Sequence, residues 1–393
     1  MNKSKIAFLV SHPIQYFSPL FKEIAKRTEI DLTVLYCSDE SVKGMRDTGF
    51  GSDIEWDIPL LEGYRYKFLK NHSPISTIFK APFGLINFSI VKEIFRGHYD
   101  AVIVHGWHYV TLWLAYFAAI CSGTRVYLHA ENPYNQEIRK SKCKLFIKKL
   151  VLGLFFKGFN GFLAIGTENR KFYEYYGVDP KKIFLTPYAV ENNRFIKEYD
   201  QNVSGKTGLK NEIGIPKSKT VILFSGKLVA KKRPMDLLQA YELIAAPDKA
   251  LVFLGDGPLR RALEEYIARK RIKDVYITGF KNQSEIYKYY IESDIFVMPS
   301  TIGETWGLVV NEAMCFGLPV IVSDLVGCGA DLVKHGENGY IFNMGNVDEL
   351  ACYIRRLIEE KDERKQFALA SIDLIKKWNY DADIEGILHA IIS

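Results

Sequence analysis

Residues 294–323 read DIFVMPSTIGETWGLVVNEAMCFGLPVIVS. Asp294 to Pro299 is a short, mostly apolar run that reads as a buried strand. A helical run begins at Leu308 and stops at Gly317 and Pro319, and Pro319 to Ser323 reads as the next strand. Strand, helix and strand in this order form a βαβ unit, the building block of a parallel sheet covered by helices. Ligands of such sheets bind beyond the carboxyl ends of the strands, which singles out the loop Ser300-Thr301-Ile302-Gly303-Glu304-Thr305-Trp306-Gly307.

The same rhythm runs outward in both directions. Strands are expected at Thr220 to Ser225, Ala250 to Leu254 and Val275 to Thr278, and earlier at Lys5 to Val10, Asp31 to Tyr36, Ala101 to His105, Arg125 to Ala130 and Phe162 to Ile165. Helical stretches such as Phe17 to Arg27 and Tyr109 to Cys121 separate them. A chain of 393 residues suits two domains, and the aperiodic polar stretch from Glu198 reads as a linker. The expected organisation is a doubly wound Rossmann-like domain over 1–197, a linker over 198–219 and a second such domain over 220–377. A helix near 378–393 is expected to pack back on the first, with a cleft between the two.

Apolar residues make up 48% of the chain and charged residues 25%, which excludes a disordered, collagen-like or disulfide-scaffold protein. The six cysteines show no CxxC pair or metal-ligand spacing, so a reducing, cytoplasmic setting is expected. Met1 to Lys5 leads into an apolar stretch too short for a signal-peptide core. The uncharged run from Trp107 to Cys121 is too short to span a bilayer.

Charge is uneven. Up to Arg194 there are 26 Lys and Arg against 18 Asp and Glu, and thereafter 26 against 28. No acid lies between Glu137 and Glu168, where Arg139, Lys140, Lys142, Lys144, Lys148, Lys149 and Lys157 all fall. On a helix, Cys143, Phe146, Ile147, Leu150, Val151 and Leu154 form a stripe expected to face the core, with most of the lysines opposite. Leu145, Leu152, Phe155 and Phe156 fall on the cationic side. That combination is expected of a segment, about 139–159, resting on an anionic membrane surface; a core helix with a solvated lysine face is the alternative. No aromatic and basic platform for nucleic acid is evident.

Gly226-Lys227-Leu228-Val229-Ala230-Lys231-Lys232-Arg233-Pro234 follows the strand Thr220 to Ser225. Four cations in seven positions repel one another unless an anion gathers them, so the loop reads as a phosphate clamp or a solvated basic loop. It lacks the ending of a Walker loop. Glu304 and Glu312 would suit the neutral hydroxyls of a sugar and a ribose, or else a helix cap and a surface site. Leu254-Gly255-Asp256-Gly257-Pro258 is a strand-to-helix turn. His12, His105 and His129 each end a strand of the first domain, where histidine can act as base, donor or ligand. Asp381 and Asp383 begin the last helix as capping acids. No metal is assigned to any of these.

Together, Gly226-Lys227 with Lys232, Gly255-Asp256-Gly257-Pro258 and Glu304 through Glu312 resemble the donor-site signature of glycosyltransferase family 4, with its E-x7-E motif in the setting Pro299-Ser300, Gly307 and Glu312-Ala313-Met314. The likeness covers the second domain and continues through Ala164 to Glu168, Leu185 to Val190 and His129. It implies a GT-B fold, a nucleotide-diphospho-sugar donor such as a UDP- or GDP-sugar, a glycan or lipid-linked acceptor, and transfer with retained configuration, without cofactor or metal. Position by position, Lys227 and Lys232 would neutralise the leaving diphosphate beside Gly226, Glu304 would bind the donor sugar and Glu312 the ribose. The amides of Thr305, Trp306, Gly307 and Leu308 would hold sugar and phosphates, and His129 would sit near the sugar. His12 and His105 are acceptor-side candidates. Lys227 stands where the family commonly has arginine, and His12-Pro13-Ile14-Gln15 replaces a glycine-rich loop. A bacterial surface-polysaccharide role at the inner face of the cytoplasmic membrane is expected. The rivals are a sugar-phosphate epimerase or phosphorylase and a non-catalytic nucleotide-sugar-binding protein.

Overall fold

The computed structural model describes residues 3–47, 52–54, 56–202 and 208–392. Residues 203–207 of the expected linker lie outside them. The chain forms two compact units: Met1–Met45, Asp53–Tyr188 and Tyr380–Ser393 in the first, and Arg46–Ser52 with Ala189–Asn379 in the second.

In the first unit, β1 (Ser4–Val10) and β2 (Ile30–Tyr36) precede a short ladder of β3 (Met45–Asp47) and β4 (Ser52–Ile54). Next come β5 (Arg65–Phe68), β6 (Ala101–His105), β7 (Arg125–His129), β8 (Gly161–Ala164) and β9 (Ile183–Leu185). The seven-stranded sheet has the order β5-β2-β1-β6-β7-β8-β9, and every neighbouring pair is parallel. One face packs Ala7, Leu9, Val102, Val104 and Leu128 against helices contributing Ile94, Ala115 and Phe156. On the other, Phe8 meets Phe21 edge-on at 5.0 Å. The last helix, Tyr380–Ile392, belongs to this unit. Arg125 Nη1 donates to the Ile391 carbonyl at 2.7 Å. A Cβ on Gly386 would lie 2.0 Å from the Leu185 carbonyl oxygen, so that helix approaches β9 backbone to backbone.

The second unit contains β10 (Thr220–Ser225), β11 (Lys249–Leu254), β12 (Val275–Ile277), β13 (Ile295–Met298), β14 (Val320–Ser323) and β15 (Gly339–Phe342). Their order is β12-β11-β10-β13-β14-β15, again wholly parallel. Strands β10, β13 and β14 are buried at every residue, as expected when helices cover both faces.

Three expectations need correction. The linker is largely structured: a helix runs through Asn192–Asn202, Leu209 and Ile215 are buried in the second unit, and the division falls after Tyr188 rather than at 197. Strands β5, β9 and β15 were not expected; they are only three or four residues long, below the length at which alternation is legible.

The third correction reverses the basic helix, Lys142–Phe156. Leu152, Phe155 and Phe156 point into the core and Leu145 is partly buried, whereas the stripe expected to face inward is exposed. Lys148 can lie on the inner side because Glu137, enclosed to 3% side-chain exposure, receives it at 2.7 Å and Lys140 at 2.8 Å, while the Tyr176 hydroxyl donates to the same carboxylate at 2.7 Å. Among the described residues no helix is long and apolar enough to cross a membrane.

Candidate functional site

Each large sheet changes the direction of its strand order at one place, between β1 and β6 in the first and between β10 and β13 in the second. A crevice opens beyond the carboxyl ends of the strands at such a point. The loop from Gly226 to Arg233 follows β10, and the loop from Pro299 to Gly307 follows β13. Topology therefore brings together the two stretches singled out in the sequence, which lie about 70 positions apart.

Contacts fix their pairing. Thr301 N–H donates to the Lys231 carbonyl at 2.8 Å. Lys232 Nζ lies 2.5 Å from Glu304 Oε2, with side-chain exposures of 13% and 10%. The turn after β11 supports the cation loop: Leu228 N–H donates to the Asp256 carbonyl at 2.8 Å. A Cβ on Gly255 would stand 2.0 Å from the Gly226 carbonyl oxygen, so glycine is required where these loops touch. From the other side, Gly327 N–H donates to the Glu304 carbonyl and Cys328 N–H to the Trp306 carbonyl at 3.0 Å.

Gly307 has φ +103°, and a Cβ there would meet Met298 Sδ at 2.9 Å. It starts the helix Leu308–Cys315, whose first amides lack intrahelical acceptors and favour an anion. Trp306 is buried, its indole N–H donating to Asn311 Oδ1 at 2.9 Å. Glu312 is only 1% exposed, and its Oε2 accepts from the Tyr290 hydroxyl at 2.7 Å. Neither Tyr290 nor the Thr301 to Lys231 tie has a sequence signal, because both are contacts between segments far apart in the chain.

At the switch point of the first unit, His105 and His129 are register partners on β6 and β7. Their Nδ1 atoms are 3.0 Å apart, so one ring donates and the other accepts. His129 is 2% exposed and sits between Phe8 and Phe17. Glu131 Oε1 lies 3.7 Å from His105 Nε2 and accepts from the Tyr188 hydroxyl at 2.9 Å. Sequence reading missed both of these partners. His12 Nδ1 is 2.9 Å from Ser11 Oγ. Burial, aided by the neighbouring His105, depresses His12 to about 4. Burial likewise lowers His105, against the pull of Glu131, and with His105 nearby it lowers His129 well below the usual range. All three rings are neutral at pH 7, suited to hydrogen bonding with uncharged hydroxyls.

Asp381 and Asp383 divide in role. Asp381 pairs with Arg27 at 2.7 Å. Asp383 is 2% exposed, its Oδ1 has no hydrogen-bond partner, and burial raises its pKa to about 8. Among the described residues no group of three or more His, Cys, Asp or Glu is placed to hold a metal ion.

Two parallel sheets, each with its candidate residues at the switch point, define a GT-B protein. Residues 206–372 match the model of the family glycosyl transferases group 1, and the chain belongs to that family through its second unit. It is 30% identical over 167 residues to sulfoquinovosyl transferase SQD2 of Arabidopsis thaliana, a match covering 42% of this chain and 31% of that protein. The Escherichia coli UDP-Gal:alpha-D-GlcNAc-diphosphoundecaprenol alpha-1,3-galactosyltransferase is 28% identical over 70% of each chain. The crystal structure of Anabaena Alr3699/HepE in complex with UDP and glucose superposes with a TM-score of 0.72 at 18% identity, covering 99% of this chain and 100% of that one. The chain thus spans about a third of the first relative and shares the whole fold of the third.

Proposed function

We propose that the protein is a retaining glycosyltransferase that moves a sugar from a nucleotide-diphospho-sugar to a glycan or lipid-linked acceptor. The observation that carries the reading is the enclosed Lys232–Glu304 pair at the β10/β13 switch point. A cation for a diphosphate and a carboxylate for sugar hydroxyls stand side by side there, next to a helix N-terminus. The UDP and glucose in the Anabaena structure favour a UDP-sugar over a GDP-sugar. The name of the E. coli relative favours an acceptor on a polyprenyl diphosphate, which fits bacterial surface-polysaccharide assembly at the inner face of the cytoplasmic membrane.

In this reading the bond from the anomeric carbon to the diphosphate breaks, and its electron pair goes to the phosphate oxygen. Lys227, Lys232 and the amides of Thr305 to Leu308 stabilise the charge that develops there, so the reaction needs no metal. The acceptor hydroxyl oxygen bonds the same carbon from the face the diphosphate leaves, and its proton passes to the departing diphosphate. Glu304 holds the sugar hydroxyls. Glu312, already engaged by Tyr290, offers its remaining acceptor capacity to the ribose. His129 is enclosed and acts by orienting His105, which with His12 faces the acceptor.

Thermal shift with UDP, GDP, ADP and their common sugar conjugates tests the reading, because a ligand held only by the folded state raises its apparent stability. A rise with one nucleotide and its conjugates is expected. A folded protein unmoved by every member of the panel would count against a donor site.

A further inference from the structure

The helix Lys142–Phe156 is apolar on both faces, and the fold uses only one. Phe146 is 65% exposed, Ile147 57%, Leu150 62%, Val151 57% and Leu154 71%. They recur at three- and four-residue spacing, so they form one continuous strip rather than scattered surface residues. The helix Val110–Ser122 is packed beside it through Trp113 and Phe155, whose rings are 4.2 Å apart. It adds the exposed Phe117 and Ile120 to the same helix layer.

The borders of the strip are cationic. Lys142, Lys144 and Lys157 have no carboxylate partner among the described residues, and Lys149 Nζ rests 5.2 Å from the centre of the Tyr175 ring. The nearest acids along the chain are neutralised: Glu137 by Lys140 and Lys148, Glu168 by Lys171 at 2.8 Å, and Glu174 by Arg170 at 3.0 Å. A helix of 15 residues is about 22 Å long, less than the roughly 30 Å of a hydrocarbon core, and its inner face is committed to the protein. It can lie on a bilayer but not cross one. A second copy of the chain is a poorer occupant, since a two-fold contact would bring the same lysines of both copies together.

We infer that this face docks the first unit on an anionic membrane. The strip enters the boundary between headgroups and acyl chains, and the lysines meet the headgroup phosphates. The benefit to the cell rests on the lipid-linked acceptor proposed above, whereas the docking itself does not.

The test is co-sedimentation of the purified full chain with vesicles of phosphatidylcholine alone or with phosphatidylglycerol, at low and high salt. Binding to the anionic vesicles, weaker by about tenfold or more on neutral ones and reduced by salt, is expected. The double variant Leu150→Glu/Leu154→Glu alters only exposed positions, so circular dichroism should show a native fold while binding falls about tenfold or more. Absence of binding at low salt would overturn the inference, as would undiminished binding by the double variant. A lipid-free dimer that the double variant abolishes would assign the face to a second copy instead. The thermal response to UDP, measured on the same samples, reports separately on the donor site.

Discussion

Replacing Lys232 with Met removes the cation from a pair 2.5 Å apart whose side chains are 13% and 10% exposed. Glu304 is then left with a desolvated charge. Breaking such a pair costs about 3–5 kcal/mol, and the residual exposure places this case near the lower end, about 3 kcal/mol. In a unit the size of residues 189–379, 1 kcal/mol moves Tm by about 2–4 °C, so the variant should melt about 6–12 °C lower. Adding Glu304→Gln removes the stranded charge, and Lys232→Met/Glu304→Gln should recover most of that loss. Donor binding should not recover. A charged hydrogen bond contributes about 1.5–3 kcal/mol, so Kd for UDP rises up to about a hundredfold. At a UDP concentration about 100 times the wild-type Kd, the stabilisation falls from about 2.7 to about 0.4 kcal/mol. Scanning fluorimetry with and without UDP measures both effects. A double variant that regains its fold and keeps the full UDP response would refute the assignment of Lys232 to the diphosphate. A single variant as stable as wild type would refute the energetic account of the pair.

Two pH predictions follow from buried groups in the first unit. His12 titrates near 4 in the folded protein because of burial and His105, against about 6.5 unfolded. Between these values the unfolded chain binds more protons, so acidification from pH 6.5 to 4 removes up to about 3 kcal/mol from this group alone. His12→Gln should flatten the acid limb in urea melts at pH 4.5 to 7.5, and an unchanged slope would show that His12 is not held neutral. Asp383 behaves in the opposite sense. Its pKa of about 8 stands above the unfolded value, so its stabilisation is complete below about 4 and is lost as pH rises towards 8. Asp383→Asn should therefore gain on wild type with rising pH, by up to about 4 kcal/mol at pH 7. A difference in Tm that does not change between pH 5 and pH 8 would mean the carboxyl is already ionised.

The sequence by itself determined the class of fold and the donor-side residues, because both are written in local signals. Buried parallel strands are short apolar runs, helix ends carry Gly and Pro, and a ligand loop must follow a strand. Gly226 to Pro234 and Pro299 to Gly307 were legible on those grounds. Their joining through Lys232 and Glu304 was not, since it depends on β10 and β13 lying side by side across an inserted strand-and-helix segment. The same is true of Glu131 and Tyr188 beside the histidines, and of Tyr290 on Glu312. The helix Lys142–Phe156 shows the boundary most clearly. Its periodicity gives the angle of each side chain about the axis but not the direction of the core. With apolar residues on both sides, the choice fell to Glu137 and Tyr176, which gave Lys148 a buried partner and left Phe146, Leu150 and Leu154 facing outward.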